Sequence, residues 1–226
     1  MLFVSSVLTS LNLRRNGLGA EGGKAIGDAL RVNGVLTNLD LSLNKIGDEG
    51  ARAIGDALHV NSVLTSLNLE ENSIGDEGAK AIGDALHVNS ALTSLELHYN
   101  RIGDEGAKAI GEALQVNSVL TSLDVGFNKL TEEAALGIVR AARQQDKMAS
   151  LGLASCKIGP SGAQEIADYV RVSSVLTDLN LEYNELGVEG GKAIAEALHV
   201  NPYTGIVHVC VQGRRSVVAF RLQTLG

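Results

Sequence analysis

Around residue 64 the chain places leucines at 64, 67 and 69 with polar residues between the last two. That alternation is the pattern of a short strand with one face buried. Asn72 and Ile74 follow, then the turn Gly75-Asp76-Glu77-Gly78. Its carboxylates suit the positive end of a helix, and Asp76 is expected to cap that helix. Ala81, Ile82, Ala85 and Leu86 then recur at the spacing of one apolar helix face. Val88-Asn89-Ser90 ends the helix before the next apolar alternation. The unit is therefore one strand and one helix.

The same unit recurs without insertion. Leu8, Leu36, Leu64, Leu92, Leu120, Met148 and Leu176 stand 28 residues apart, and Thr204 falls in the same phase. Ile26, Ile54, Ile82, Ile110, Ile138, Ile166 and Ile194 fill one column. Asn16, Asn44, Asn72, Asn100, Asn128 and Asn184 fill another, with Cys156 and Gln212 in phase. A fixed period of this length predicts a stacked array in which each unit buries its apolar face against its neighbours. Strands of one direction predict a parallel sheet. Helices are wider than strands, so the stack is expected to curve with the sheet on the concave side. The asparagines are expected to bond backbone groups as a buried ladder, with Cys156 a small buried member of it. Gly50, Gly78, Gly106, Gly162 and Gly190 are expected to let each helix lie close on its strand.

The string Leu64-Thr-Ser-Leu67-Asn-Leu69-Glu-Glu-Asn72-Ser-Ile74 resembles the leucine-rich repeat. The 28-residue length with a full helix is similar to the ribonuclease-inhibitor-like subclass, which includes ribonuclease inhibitor, the repeat arms of NOD-like receptors and the Ran GTPase-activating protein. The resemblance implies an α/β leucine-rich-repeat solenoid, a curved horseshoe with a parallel β-sheet on the concave face and helices on the convex face. It is unspecific for function; the expectation of a non-catalytic protein-interaction module rests on the strand face read below. The alternatives it brings are a regulator of a small GTPase and the ligand-sensing arm of a receptor. Scaffold likeness does not choose among partners.

The array is expected to cover residues 1–212: a partial repeat over 1–7, then eight repeats in phase, the last incomplete. Leu2 aligns with Leu30, so the chain is expected to begin inside a preceding helix, as a fragment of a longer array or a truncated gene product. Beyond it, residues 213–226 carry the turn signal Gly213-Arg214-Arg215-Ser216 and are read either as a closing hairpin or as a tail. The fifth and sixth repeats depart most, with Leu136, Arg140, Pro160 and Tyr169 at columns held by other residue types. Drift of older repeats is the first reading of these departures, with a change of curvature or a contact on the outer face as the alternative.

Charge narrows the partners. A net charge of −7 and a pI near 5.2 argue against nucleic acid and anionic membrane surfaces. No run approaches the ~20 apolar residues of a membrane span, and Met1–Leu13 fits the repeat frame rather than a leader. Two cysteines, Cys156 and Cys210, form no disulfide framework, so a reducing, cytoplasmic setting is expected.

Differences between repeats point to the surface used. Residues 36–63 and 64–91 differ at seven positions, five of them 38, 40, 42, 43 and 45; residues 64–91 and 92–119 also differ at seven, four of them 68, 70, 71 and 73. The helix, equally exposed, stays nearly constant. Substitution is thus concentrated on the strand face, as in a binding surface diversified after duplication. The columns there supply the candidate partner-binding residues: Arg14, Arg15, Leu43, Glu70, Glu71, Glu96, His98, Tyr99, Asp124, Phe127, Glu182 and Tyr183. Tyr99 and Phe127 are expected side by side, since strands stand ~4.8 Å apart. Aromatics in an acidic surround suit a protein or peptide with basic character, and Arg14 and Arg15 are expected to make the surface dipolar. His59, His87 and His199 lie at helix C-termini, where they complement the dipole. No zinc spacing, calcium loop, phosphate loop or nucleophile elbow is present, so no catalytic residue, metal ligand or cofactor is assigned and the chain is read as a non-enzyme.

Overall fold

The computed structural model describes residues 7–201 and 208–210. Strands and helices alternate: β1 (Ser10–Asn12), α1 (Gly19–Leu30), β2 (Asn38–Asp40), α2 (Gly47–Leu58), β3 (Ser66–Asn68), α3 (Asp76–Leu86), β4 (Ser94–Glu96), α4 (Asp104–Leu114), β5 (Ser122–Asp124), α5 (Glu132–Gln145), β6 (Ser150–Gly152), α6 (Pro160–Val172), β7 (Asp178–Asn180), α7 (Gly187–Val200) and β8 (His208–Cys210). The strands form one parallel sheet in chain order. Register steps by whole repeats, pairing Leu67 with Leu39 on one side and Leu95 on the other. No helix among the described residues is long and apolar enough to cross a membrane.

Alternation decides what each strand buries. Leu67 and Leu69 are fully buried, whereas Ser66 and Asn68 face out. Helix α3 covers them with Ala79, Ile82, Ala85 and Leu86, and equivalent residues of the other repeats continue one core along the stack. Helices on one side need 8–10 Å each where strands need about 5 Å, which places the sheet on the inner side of the curve.

Backbone groups left over by three-residue strands are satisfied across repeats. The Asn44 side-chain NH2 donates to the carbonyls of Leu13, Leu41 and Ser42, while its oxygen accepts from Asn16 N–H and Leu18 N–H. Asn72, Asn100 and Asn184 repeat the scheme. A second amide ladder, unremarked in the sequence, runs at the helix C-termini. Asn61, Asn89 and Asn117 each donate to two carbonyls of the preceding repeat and accept two N–H groups of their own. Thr37, Thr65, Thr93 and Thr121 add a third line, each donating both N–H and hydroxyl to one carbonyl of the preceding repeat.

Capping differs from expectation. Asp76 does not cap its own helix; it is the first residue of α3, and Gly75 holds the cap position without a side chain. The carboxylates instead cap the helix one repeat downstream. Asp48 Oδ1 accepts from Gly75 N–H and Gly78 N–H, and Asp76 Oδ1 from Gly103 N–H and Gly106 N–H. Glu132 does the same for Gly159 and Gly162, and Asp104 binds Thr131. Where the upstream residue is Ala20 or Pro160 the turn glycine takes the left-handed conformation: Gly47 has φ +64° and Gly187 +62°. Below a carboxylate it is extended, with φ near −100° at Gly75 and Gly103. From α2 onward, the conformation of the helix start thus follows the residue 27 positions earlier.

The glycine column also works differently from expectation. A Cβ on Gly78 would lie 2.9 Å from Ala51 Cβ and 2.8 Å from Asp48 Oδ1, and one on Gly106 2.8 Å from Ala79 Cβ. These glycines close helix on preceding helix, not helix on strand. Gly27, Gly55 and Gly83 extend the contact, since a Cβ there would meet the next helix's carbonyl region at 2.6–3.0 Å. The contact loosens at Gly111, whose nearest such neighbour is Gly137 O at 3.7 Å. A cleft of about 410 Å³ lies between α4 and α5, beside Lys108, Gly111 and Gly137. This is the irregular fifth repeat. Tyr169 is not a surface feature: it is 1% exposed in a column of alanines, and burial pushes its hydroxyl up to about 12.

The last strand leaves the period. Asp178 pairs with His208, 30 residues on, two beyond the expected phase. Asn201 still bonds in the phase of the second amide ladder, so the extra residues fall between it and β8. Residues 1–6, Thr204, Gln212 and the segment 213–226 lie outside the described residues.

Candidate functional site

Three residues beyond each of the strands β1 to β7 stands a residue with left-handed backbone that is not glycine. Arg15, Leu43, Glu71, Tyr99, Phe127, Ser155 and Tyr183 all have φ between 52° and 59°. Such a conformation costs roughly 1 kcal/mol or more for a residue bearing Cβ. It is held by the next repeat: Tyr99 N–H donates to Gly126 O, Phe127 N–H to Ala154 O and Ser155 N–H to Glu182 O. The turn throws these side chains outward along the end of the sheet.

In the middle of the column the rings assemble. Tyr99 and Phe127 stack at 4.3 Å with planes 6° apart. Phe127 also meets Tyr183 edge-on at 5.4 Å, across the ringless Ser155. The expected neighbours are therefore in contact, and a third ring joins them. Tyr99 and Tyr183 remain 48% and 61% exposed. Arg15, Leu43 and Glu71 share the backbone position upstream but stand outside the ring stack.

A polar network lies beside the rings on the strand face. Arg14 donates through Nη1 to Ser42 Oγ at 3.0 Å and Glu70 Oε2 at 2.9 Å. Glu70 Oε1 lies 3.5 Å from His98 Nε2. On the other side of that ring, Glu96 Oε2 is 3.5 Å and Asp124 Oδ2 3.9 Å from Nδ1. His98 also sits edge-on to Tyr99 at 5.6 Å, joining network to aromatics. Burial works against a proton on His98, but Glu96, Asp124 and Glu70 outweigh it and raise the pKa. Burial raises that of Asp124, against the Gly126 N–H bond and the His98 charge.

Of the two arginines expected to make the surface dipolar, Arg14 pairs with Glu70, two strands away. The column of Asn12, Asp40, Asn68, Asp124 and Asn180 is partly scaffold, since each side-chain oxygen accepts the N–H two residues on. Glu96 and Gly152 interrupt it. A Cβ at Gly152 would lie 2.1 Å from Asp124 Cγ, so glycine there leaves Asp124 its place over β6.

Glu96, His98 and Asp124 bring ligand atoms within 4.8 Å of one another, a donor set that could hold a metal ion. Sequence spacing alone did not reveal it. The signal was nonetheless present: residues two apart share one strand face, and residue 124 is residue 96 moved one strand over. Cys156 is fully buried in the amide ladder, its thiol pushed up to about 12 by burial. His59 and His87 each place Nδ1 at 3.0–3.1 Å from a carbonyl of the last helical turn.

The leucine-rich repeat family model matches residues 4–27, 32–55, 60–83, 88–111, 116–139, 147–167 and 172–195. No curated protein matches the chain in sequence. Among solved structures, it is similar to the actin-binding site 2 of leiomodin-1, at 20% identity and TM-score 0.44 over 87% of this chain and 82% of that one. It is also similar to the Caenorhabditis elegans tropomodulin C-terminal domain, at 12% identity and TM-score 0.49 over 88% and 86%. The repeats, their parallel strands and the seven matched segments agree: the chain belongs to the leucine-rich repeat family.

Proposed function

We propose that this protein is an interaction module that holds a protein or peptide on the strand face, with Tyr99, Phe127 and Tyr183 as the apolar anchor. The observation that carries the reading is the three-ring stack, built on backbone that favours glycine and left about half exposed at both ends. Large aromatic rings at a solvated edge bury much area with little loss of side-chain freedom, which is why they dominate binding hot spots. The charges of Glu70, Asp124 and Glu182 act on Tyr99, and an acidic rim steers a basic segment toward the stack. No feature of the site selects regulation of a small GTPase or ligand sensing within a receptor.

The test is capture of a partner from the source cell, with wild-type protein and with a Tyr99→Ala/Tyr183→Ala variant whose circular dichroism and melting match wild type. The reading expects a partner enriched by wild type and lost from the variant. A photo-crosslinker at position 155 should reach that partner, and one at position 112 on the helical face should not. Retention by the folded variant, with crosslinks from position 112, would move the site to the helices.

A further inference from the structure

We propose that Glu96, His98 and Asp124 form a binding site for a divalent transition-metal ion of the zinc type on the strand face. Three donors of the right kind converge, one imidazole nitrogen and two carboxylate oxygens, from the ends of β4 and β5 and from His98 two residues beyond β4. Two ligands each ~2.1 Å from a tetrahedral ion stand roughly 3.4 Å apart. His98 Nδ1 is 3.5 Å from Glu96 Oε2 and 3.9 Å from Asp124 Oδ2. Both separations are within about half an ångström of that spacing, and all three ligand atoms lie within 4.8 Å of one another.

Three further features fit. His98 Nδ1 is a buried atom with no hydrogen-bond partner, although carboxylates lie on both sides of its ring. A lone pair at Nδ1 facing an ion gives that atom a partner. At the opposite nitrogen, Glu70 Oε1 lies 3.5 Å from Nε2 and is itself anchored by Arg14. A carboxylate behind the distal nitrogen is the usual outer support of a metal-bound histidine, fixing its tautomer and ring plane. Asp124 is also prepared: Oδ1 is held by Gly126 N–H at 2.8 Å, which leaves Oδ2 toward His98. Mixed imidazole and carboxylate donors favour zinc-like ions over calcium or magnesium. Three protein ligands leave further coordination open to water or to a donor on a bound partner.

The test uses the full chain after dialysis against chelator, titrated with zinc chloride by calorimetry. The expected result is one saturable site per chain, with affinity reduced tenfold or more in His98→Gln and in Glu96→Gln. Glu70→Gln, behind the ligand, should weaken it less but measurably, and His59→Gln/His87→Gln should leave it unchanged. Cobalt(II) should give visible absorption of four- or five-coordinate type in wild type and lose it in His98→Gln. A zinc-induced rise in melting temperature, absent from His98→Gln, keeps the readout independent of any partner. The absence of saturable binding, or binding unaltered by His98→Gln and abolished by His59→Gln/His87→Gln, would overturn the site.

Discussion

Removing the Asp76 carboxylate should damage the helix of the next repeat rather than its own. Asp76 Oδ1 accepts from both Gly103 N–H and Gly106 N–H at 2.8 Å. Losing a cap of this kind costs about 1 kcal/mol, and losing the charge at the helix start adds roughly 0.3–1 kcal/mol. Asp76→Ala should therefore cost about 1–2 kcal/mol, a fall in Tm of roughly 2–8 °C for a chain of this size. Gly103 has an escape, since Gly47 already shows what the turn does without a carboxylate: it turns left-handed and donates its N–H to Asn72 O. Gly103→Ala blocks that route, because an alanine at positive φ costs about 1–2 kcal/mol. In wild type the same alanine keeps φ near −100° but puts its Cβ 3.0–3.2 Å from the Asp76 carboxylate oxygens, which must give by a few tenths of an ångström, a smaller cost than positive φ. The two substitutions should thus be more harmful together than their sum, by about 1 kcal/mol. Urea unfolding followed by circular dichroism gives the cycle, and hydrogen exchange at Gly106 N–H locates the damage. The converse is Gly47→Ala, which should be destabilising by itself and rescued by Ala20→Asp. Additive effects in the first cycle, with no rescue in the second, would refute the claim that the upstream residue sets the turn.

Other consequences are equally direct. Asn72→Ala removes a fully buried amide that accepts from Asn44 N–H and donates to Leu41 O; at about 1–3 kcal/mol per orphaned group the loss should exceed ~3 kcal/mol by urea denaturation, and a loss under ~1 kcal/mol would contradict the ladder. Burial opposes ionisation of Asp146, yet its bonds to Ser173 and Ser174 prevail and lower its pKa. The folded value being the lower one, its contribution is present above the ordinary carboxylate range and lost as pH falls through the folded pKa. Wild type should then be more stable than Asp146→Asn at pH 6 and converge with it in acid; a gap that stays constant to pH 3 would refute this. In a Cys210→Ser background, Cys156 should resist thiol reagents at pH 8 until the protein unfolds, because burial suppresses its thiolate; fast labelling of the native protein would contradict that burial.

Much of the architecture was legible because a period repeats its evidence. Leu67 and Leu69 alone could belong to many structures, but their recurrence every 28 residues fixes parallel strands in register. Adjacency within the aromatic column followed by the same arithmetic. What could not be read were bonds between repeats. Asp76 caps the wrong helix from the viewpoint of a single unit, because the geometry of stacking decides which N–H lies nearest. Arg14 was expected only as part of a positive end of the surface; that its long side chain crosses two strands to reach Glu70 is not visible in the repeat columns. The left-handed turn at Tyr99 carried no glycine to announce it; its φ is imposed by the bond to Gly126 O. The donor set around His98 escaped because Asp124, near Glu96 and His98 in space, comes from the next repeat, 28 residues beyond Glu96 in sequence.

The cross-repeat capping also bears on how such a gene can change length. Each seam is assembled from parts on both of its sides, and the parts recur at one interval. Unequal recombination that gains or drops a whole repeat between Asp48 and Gly106 recreates a seam the protein already contains, with a carboxylate above and an extended glycine below. Ala20 and Pro160 mark where this interchangeability stops. A repeat moved to follow either must begin its helix the other way, through a left-handed glycine. Residues at the cap and at the glycine one repeat later are therefore inherited as a pair, although 27 positions separate them. A consensus compiled column by column would lose that pairing, and an array built from it would mix the two kinds of seam.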